Sequence, residues 1–526
     1  MASSTSAGDH TKRRPMCRSV RQRREYHGSR VSLATTKGSP CQQGDVSEVA
    51  RMIPVLELDK FPEDILHHIH SLVPLRDAAR IACVSRTFLS SWRCFPNLAF
   101  SYESLGLNLI GGDRYKKAKG FVDRAYCILQ NHSGIGVKTF KIHVAPCWSI
   151  ITASQLDSWL QAAVKSGIEV LELDRLGVYE SGGPQFNFPY SLLSCAASSL
   201  QSLSLLSCAF HPTLAIGCMR SLKSVRLSDV KITEDELGCF FSCTISLEKL
   251  DVCRCQEITL LMIPSLLLQL RILDVFDCGR LQMIEIYARK VTTFSFVGKP
   301  LKISISDSSQ LTSMTMNGIF HSGMLQYALT KLHSIASNLQ VLSLVSYEEG
   351  FNLPSSPHKF LHVRHLNISC KFQSFDFSSM ISFLEACPVL ENLFLWTGQH
   401  FYVREDSVLE GSNSLRIRRI PEFCHHNLKK VTIFGFSSAK SLFDLLCKIL
   451  ECCSSLEHLV LHTTRGYREI RESMDKTAVT EALKGVEDYI KGKVSESFIL
   501  EVLGPCDQIS CVHTDLWRTI AKLRIF

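Results

Sequence analysis

The sequence predicts an α/β protein: a small unit of three helices, followed by an irregular solenoid of repeats whose strands form a parallel sheet. The first observation is the stretch Leu58–Trp92, where apolar residues fall at helical spacing. The second is a template of three apolar residues at positions i, i+3 and i+5 that recurs thirteen times farther along the chain. The third is the composition, 45% apolar and 21% charged, which is typical of folded globular domains.

The first helix of the small unit is predicted from the rhythm of Ile65, Ile69 and Leu72, which share one helical face. Pro62 stands at its start, where a missing backbone N–H costs nothing, and Pro74 ends it.

Two further helices follow. Asp77 begins a short Ala-rich helix through Cys83, and Ser85 can cap a third helix that carries Phe88 and Trp92 at i, i+4 spacing. A unit of about 40 residues encloses too little of itself to bury all of this apolar surface. The remainder should therefore be buried against something else.

This stretch resembles the F-box, a family pattern with Leu-Pro, a Leu/Ile-rich helix, a Pro-Leu-x-Asp turn, a Val/Leu-Ser-Arg step and a tryptophan. The matching residues are Phe61-Pro62, Ile65-Leu66, Pro74-Leu75-Arg76-Asp77, Val84-Ser85-Arg86 and Trp92. One position departs from the pattern: Phe88 stands where many plant members have tryptophan, which predicts weaker packing at that point.

The resemblance implies that residues 56–98 dock on a Skp-type adaptor and, through it, on a cullin. The residues expected to bind the adaptor are Phe61, Pro62, Ile65, Leu66, Ile69, Leu72, Leu75, Val84, Phe88 and Trp92. The alternative is an ordinary helical hairpin that caps a larger core.

Residues 1–50 are rich in Ser, Arg and Gly, and we interpret them as a disordered basic tail. The basic clusters Lys12–Arg14 and Arg21–Arg24 have the spacing of a bipartite nuclear-import signal, although a solvated tail or an organelle transit peptide would look similar. The tail holds nine Lys/Arg and four Asp/Glu, which gives it a net charge of +5. The whole chain has a net charge of +8, so the other 476 residues carry only +3 and are nearly neutral. This balance argues against nucleic-acid binding.

Residues 99–135 are predicted to be a linker and a cap for the solenoid. The cap is the helix Tyr115–Asn131, which places Phe121, Ala125 and Ile128 on one face. Repeat arrays need such an end piece to keep their core dry.

Residues 136–420 carry most of the repeat, and its spacing of 20 to 38 residues is similar to that of leucine-rich repeats. The copies start at Val137, Ile168, Leu200, Leu222, Leu247, Leu270, Val291, Leu311, Leu339, Val363, Leu390, Leu428 and Leu456. Three of them extend to L-x-x-L-x-L-x-x-C, ending at Cys208, Cys255 and Cys278, where the thiol is expected to pack in a turn. An additional LQMIEI falls between two copies, which predicts an uneven array.

Each copy should form a short strand whose leucines point into a stacked core, leaving the alternate residues free to bind a partner. The candidate target-binding residues are Arg226, Asp251, Asp274, Glu285, His365, Asn367 and Phe394. Such a mixed-charge surface fits a protein target.

The segment His425–Thr464 resembles the FBD-type region of plant F-box proteins, with Asn-Leu-Lys-Lys-Val, Gly-Phe and Ser-Leu-Glu-x-Leu in the family order. We therefore interpret residues 421–500 as an FBD-like region, and residues 501–526 as a tail with no assignment.

Motifs for chemistry are absent from the sequence. There is no G-x-x-x-x-G-K-[ST] loop, H-E-x-x-H, G-x-S-x-G or C-x-x-C, so we expect no catalytic site, metal or cofactor. Histidines such as His70 and His425 are interpreted as surface residues, and Cys506, Cys511 and His513 as an improbable metal set. The apolar stretch Ile258–Leu270 is too short to cross a membrane.

The expected function is that of a substrate-recognition adaptor in a Skp–cullin–F-box ubiquitin ligase, working in the nucleus, the cytoplasm or both. The alternative is a scaffold or nuclear interaction protein that uses the solenoid outside any ligase.

Overall fold

The computed structural model describes thirteen segments of the chain, all of them within one compact unit, Leu58–Phe526. The segments are 62–83, 86–107, 113–143, 151–165, 167–174, 186–214, 217–318, 321–347, 358–370, 376–397, 424–463, 476–493 and 498–503. The predictions for the tail 1–50, for Phe61, Val84 and Ser85, and for residues 504–526 lie outside these ranges.

Twenty strands are present in the described residues. They are β1 (Asn97–Phe100), β2 (Thr139–His143), β3 (Val170–Asp174), β4 (Phe186–Asn187), β5 (Ser202–Leu206), β6 (Cys208–Ala209), β7 (Ser224–Ser228), β8 (Lys249–Cys253), β9 (Leu260–Ile263), β10 (Ile272–Phe276), β11 (Met283–Ile286), β12 (Thr293–Val297), β13 (Lys302–Ile305), β14 (Ser313–Asn317), β15 (Val341–Ser346), β16 (His365–Cys370), β17 (Asn392–Thr397), β18 (Lys430–Phe434), β19 (His458–His462) and β20 (Ile499–Leu503).

Fifteen of these strands form one parallel sheet in the order β1-β2-β3-β5-β7-β8-β10-β12-β14-β15-β16-β17-β18-β19-β20. All thirteen predicted copies of the template become strands of this sheet, which confirms the predicted fold class. The sheet gains one further strand at each end. β1 also follows the template, through Phe95, Leu98 and Phe100, so its signal was present in the sequence.

Neighbouring strands pair in constant register, so the template positions align across the sheet. Leu250, for example, lies between Val225 and Leu273, and all three are fully buried. Each inward side chain is covered by its counterparts in the adjacent repeats, which produces one continuous apolar core from the three-helix unit to the last repeat.

A second, three-stranded parallel sheet in the order β13-β11-β9 runs beside part of the array. The additional LQMIEI motif forms its central strand, β11, in which Ile284 and Ile286 are buried. The repeats between β8 and β14 therefore carry strands on two faces, and this accounts for their close spacing. β4 and β6 form a small third sheet.

Twelve α-helices lie in the described residues. Three precede β1, and the others lie in connections between strands, because parallel neighbours require crossover connections. The twelve are α1 (Glu63–Leu72), α2 (Leu75–Ala82), α3 (Arg86–Trp92), α4 (Arg114–Asn131), α5 (Ala153–Ala163), α6 (Leu192–Ala196), α7 (Glu234–Ser242), α8 (Met324–Tyr327), α9 (His333–Ile335), α10 (Ile381–Ala386), α11 (Lys440–Cys452) and α12 (Lys476–Tyr489). Thr152 and Thr233 begin α5 and α7 with full capping boxes.

Two of the predicted regions contribute elements to the array. The segment 99–135 holds the end of β1 and all of α4. The predicted cap helix is present, but it connects β1 to β2 and packs Phe121 and Ala125 into the shared core. Residues 421–500 continue the same sheet through β18, β19 and β20.

The residue directly after each of the strands β5, β7, β8 and β10 has a left-handed backbone conformation, and these four residues form a column. Ser207, Asp229, Arg254 and Asp277 have φ between 47° and 54°, and the backbone N–H of each donates to the last residue of the next strand at 2.7–2.8 Å. This conformation costs about 1–2 kcal/mol for a residue with a Cβ. Part of that cost is offset by the Arg254 guanidinium, which donates to the Asp229 carboxylate at 2.6 Å and 2.9 Å.

The repeat cysteines lie just beyond this column and are buried, as predicted for turn packing. The Cys255 and Cys278 thiols each donate to a strand carbonyl oxygen at 3.6 Å. Burial raises the pKa of Cys255 to about 12, so the thiol is neutral at any physiological pH.

Three histidines are structural, and the prediction that His70 and His425 lie on the surface is wrong. His70, His132 and His425 each donate from Nε2 to a backbone carbonyl oxygen at 2.9 Å. The Nδ1 atom of each accepts a second hydrogen bond at 2.9–3.1 Å. The Nδ1 atoms of His132 and His425 face backbone N–H groups, so only the neutral imidazole can make both bonds there. Burial lowers the pKa of all three histidines.

We expect Gly435→Ala to lower the free energy of unfolding by about 1–3 kcal/mol. Gly435 has φ 74°, and an added Cβ would lie 2.7 Å from the Thr397 carbonyl oxygen. The matched control is Gly238→Ala in α7, where an added Cβ meets nothing within 4 Å and helix propensity favours Ala. Denaturant unfolding of both variants checks the prediction, and equal midpoints would contradict it.

We also expect the protein to lose stability as the pH falls from 7 to 5. Folding lowers the pKa values of His70, His132 and His425 from the ordinary value of 6.5. As the pH falls through 6.5, these side chains therefore become protonated in the unfolded chain before they do so in the folded chain, which favours unfolding. The His425→Gln variant, which cannot titrate, should lose less stability over this pH range than wild type. His362→Gln, a change at an exposed histidine elsewhere in the repeats, should retain the wild-type dependence.

Candidate binding surfaces

The first candidate surface is an apolar stripe on α1 formed by Ile65, Ile69 and Leu72. These side chains are 42%, 41% and 71% exposed, although each is a large aliphatic residue. Leu89 on α3 is also exposed. The helical spacing of the sequence predicted this common face, and the structure shows that no described part of the chain covers it. Contiguous exposed aliphatic groups of this kind mark interaction sites.

Other residues predicted to bind the adaptor lie inside the three-helix unit. Leu66, Leu75 and Phe88 are at most 5% exposed, so they cannot touch a partner directly in this conformation. The Phe88 ring packs edge-on against His70, with centroids 5.2 Å apart, and the weaker packing expected at this position stays a prediction. Pro62 is exposed.

His70 joins the three helices from their centre. Its Nε2 donates to the Ala78 carbonyl on α2, and its Nδ1 accepts from the Ser91 hydroxyl on α3 at 3.0 Å. Trp92 is half-buried, with its ring 5.5 Å from that of Phe95, the first residue of the repeat template. Trp92 therefore belongs to the junction with the solenoid more than to a free docking surface.

The side of the three-helix unit away from the stripe is fixed to the first repeat. Leu75 and Ala78 belong to the continuous core of the solenoid. The Asn97 side chain in β1 donates to the Ser71 carbonyl at 2.9 Å, and the Ser133 N–H donates to the Arg93 carbonyl at 2.8 Å. One face is thus buried against the repeats, as expected for so small a unit, while the apolar stripe remains exposed.

The second candidate surface is the open face of the large sheet, which carries the first, third and fifth residues of each strand. Because the register is constant, these residues form three rows. The third-residue row contains Arg226, Asp251, Asp274, Asn367 and Phe394, so five of the seven predicted target-binding residues lie in one line. His365 lies in the first-residue row.

Glu285 is the exception. It belongs to β11 in the three-stranded sheet, where its carboxylate accepts from the Tyr287 hydroxyl at 3.3 Å. The prediction that it shares a surface with the other six residues is wrong, because the additional motif turns its strand onto a different face.

The character of the open face changes along the sheet. Strands β2 to β10 carry ion pairs between neighbours: Lys141 with Glu172 at 2.8 Å, and Arg226 with Asp251 at 3.5 Å. Strands β12 to β16 carry mainly hydroxyl and amide groups, among which Asn367 donates to the Ser343 hydroxyl at 3.0 Å. Exposed ion pairs of this kind add little stability.

A pocket of about 220 Å³ runs along this face from β7 to β17. Arg226, Asp251, Asp274, Asn317, Asn367 and Trp396 are among its lining residues. Asn317 is 2% exposed, and its Oδ1 has no hydrogen-bond partner within the described ranges. A buried amide oxygen without a partner is costly, which favours a bound group that donates a hydrogen bond there.

Aromatic rings continue the fifth-residue row beyond the pocket. Trp396 stacks on Phe434 with centroids 4.0 Å apart, and Phe434 stacks on His462 at 4.3 Å. These residues and Asn317 were missed in the sequence. A signal was available in the template. The residue directly before and the residue directly after the third apolar site of a copy share one face of the strand, so both should lie on the open face.

Within the segments that the structure covers, no three His, Cys, Asp or Glu side chains are grouped to hold a metal ion. In those same segments, no helix has the length and apolar character needed to span a bilayer.

Comparison with known families agrees with this geometry. Residues 58–99 match the F-box domain, and residues 128–507 match the family described as At1g61320/AtMIF1, LRR domain. The chain belongs to the plant F-box proteins with leucine-rich repeats. The F-box match covers α1 to α3 and most of β1, and the repeat match runs from the end of α4 through β20.

Curated relatives from Arabidopsis thaliana have the same combination in their names. A putative F-box/LRR-repeat protein is 24% identical over 383 residues, which is 68% of this chain and 76% of the relative. An F-box/FBD/LRR-repeat protein is 24% identical over 322 residues, which is 59% of this chain and 68% of the relative. The second name contains the FBD region to which residues 421–500 were compared.

Proposed function

We propose that this F-box protein is the substrate-recognition subunit of a Skp–cullin–F-box ubiquitin ligase. The apolar stripe would dock on the Skp-type adaptor, and the open face of the sheet would bind the protein to be ubiquitinated. The observation that carries the proposal is the stripe itself, three aliphatic side chains between 41% and 71% exposed on the helix that matches the F-box family.

The stripe suits a helical partner. Ile65, Ile69 and Leu72 follow i, i+4, i+7 spacing, so they form a ridge along α1 that can enter a groove between helices. Burying such residues contributes about 1.5–3 kcal/mol for each side chain that is fully covered. The core shared between the F-box and the first repeat supports a fixed geometry between adaptor and repeats.

The open face suits a protein segment that combines hydrogen-bond donors with charged or aromatic groups. Its ion pairs lie on one side of the pocket, and Trp396 closes the other side. Asn317 offers an unsatisfied acceptor between them. A target that donates to this acceptor would relieve the cost of the buried oxygen.

The proposed mechanism is proximity. Holding a target lysine near a charged ubiquitin carrier raises its effective concentration, so the adaptor promotes transfer without a catalytic group of its own. We place this activity in the nucleus or the cytoplasm, on the basis of the two basic clusters Lys12–Arg14 and Arg21–Arg24.

We expect Ile69→Asp with Leu72→Asp to weaken binding of a Skp-type adaptor by about 30-fold or more, since buried anchors of this type contribute 2 kcal/mol or more. The measurement is co-purification followed by calorimetric titration. Because both side chains are exposed, the circular dichroism spectrum should not change.

The matched control for the adaptor test is Leu268→Asp, a change at a leucine that is 63% exposed in the repeats. It should bind the adaptor like wild type. Wild-type protein that is folded and fails to bind any Skp-type adaptor would overturn the ligase proposal and favour a scaffold outside the ligase.

We expect Ser295→Arg to abolish capture of the target while adaptor binding persists. Ser295 lies in the third-residue row and lines the pocket, so a long charged side chain there would fill it. Ser304→Arg makes the same change on β13 of the three-stranded sheet and should capture the target normally. Proximity labelling in cells treated with a proteasome inhibitor measures both, and equal labelling by the two variants would refute the assignment of the open face.

A further inference from the structure

On the open face, β12 lies between a strand that carries a carboxylate and a strand that carries a buried amide. The outward residues of β12 are Thr293, Ser295 and Val297, and none of them is charged. Asp274 lies on the neighbouring strand β10, and Asn317 lies on β14, the neighbour on the other side. Both residues line the pocket of the open face. Two oxygen acceptors, one of them charged, therefore flank an uncharged strand.

The spacing of these acceptors suits a single donor group between them. Asp274 is a third residue and Asn317 a fifth residue, and their strands are two ladder steps apart. With the usual spacings of a parallel sheet, their Cα atoms are about 12 Å apart. Ser295 and Val297 line the same pocket between them. A side chain of a partner that enters the pocket above β12 would thus lie within reach of both acceptors.

The charged side chains of the pocket have their cations on the far side of the acids from this point. Arg226 on β7 pairs with Asp251 on β8 at 3.5 Å. Lys249 on β8 pairs with Asp274 on β10 at 3.7 Å. Lys299, which follows β12, is exposed and does not line the pocket. The nearest charge that a group above β12 would meet in the pocket is therefore the negative charge of Asp274.

The neighbours of Asn317 leave its oxygen without a donor. The adjacent residues of the fifth-residue row are Val297 and Val345. The Asn367 amide, two strands away, donates to the Ser343 hydroxyl at 3.0 Å. Among the described residues, nothing donates to Asn317 Oδ1, although Asn317 is only 2% exposed. Because a buried acceptor is costly to leave unsatisfied, a bound group that donates there gains affinity.

We propose that the target inserts a basic side chain, with a guanidinium or an ammonium group, above β12, where it donates to Asp274 on one side and to Asn317 on the other. The inference rests on the proposed function, because it takes the open face as the surface that binds the target. It adds the chemistry of the residue that is recognised there.

A basic side chain suits both acceptors because it carries several N–H donors and no acceptor. Its charge strengthens the hydrogen bond to the Asp274 carboxylate. A neutral amide would serve Asn317 and gain nothing from the charge of Asp274. A carboxylate or a phosphate would bring a second negative charge beside Asp274 and has no proton for Asn317.

The first test is a selection from a phage library of random decapeptides on the immobilised full-length chain. The pocket spans seven ladder steps from β7 to β17, which is about 34 Å, or roughly ten extended residues. We expect the peptides that wild type binds and Ser295→Arg does not bind to be enriched at least fivefold in Arg or Lys at one position, relative to the unselected library.

The second test measures the role of charge with a synthetic peptide from this selection. Citrulline replaces a selected arginine, and acetyl-lysine replaces a selected lysine, so that N–H donors remain and the charge is lost. We expect wild type to bind the uncharged peptide about tenfold or more weakly in calorimetric titration. Asp274→Asn should bind both peptides with equal affinity. Asn317→Leu should weaken both peptides, because both donate to this acceptor.

Glu285→Gln is the matched control, because it removes the same charge from the three-stranded sheet and should discriminate between the peptides like wild type. Peptides that Ser295→Arg blocks and that show no basic preference would overturn this inference alone. An affinity difference that Asp274→Asn leaves unchanged would do the same. A selection without binders, or with binders that Ser295→Arg retains, would overturn the assignment of the open face and this inference with it.

Discussion

The structure depends on one constraint: the inward side chains of a repeat are covered only by the repeats on either side of it. A strand of five residues with two inward apolar groups cannot hide them alone. Constant register is the consequence, because a slip of one residue would turn every leucine to the open face. Residues far apart in sequence, such as Arg226 and Asn367, therefore lie in one row with no direct interaction between them.

The same constraint determines what happens at the two ends of the array. At the first end, the F-box supplies the cover: Leu75 and Ala78 extend the core past β1. Because that side of the F-box is committed to the repeats, the opposite side of α1 is left with its aliphatic ridge in solvent. The exposed stripe and the face that caps the solenoid thus lie on opposite sides of one small unit. At the last end, β20 leaves the core open in the described part of the chain.

Neutral buried histidines reinforce the joints where helices and repeats meet. His70 bridges the three F-box helices, and His132, at the end of α4, donates to the Phe95 carbonyl. His425, which lies just before β18, donates to the Cys387 carbonyl at the end of α10. In each case a ring nitrogen donates to a backbone carbonyl oxygen of another element, so the imidazole links two parts of the chain. The sequence offers no periodic signal for such a role, since a histidine among polar neighbours reads as a surface residue.

The sequence by itself determined the repeat, its thirteen copies and the helical face of the F-box, because these follow from the spacing of apolar residues and that spacing survives folding unchanged. It also placed Arg226, Asp251 and Asp274 on a shared surface through the alternation of the strand. Tertiary structure alone decided which residues of the F-box are accessible, and burial withdrew Leu66, Leu75 and Phe88 from the partner surface. It also separated Glu285 from the third-residue row and brought Asn317, Trp396 and Phe434 to the open face. These outcomes depend on which neighbour covers which side chain, and a one-dimensional pattern does not contain that information.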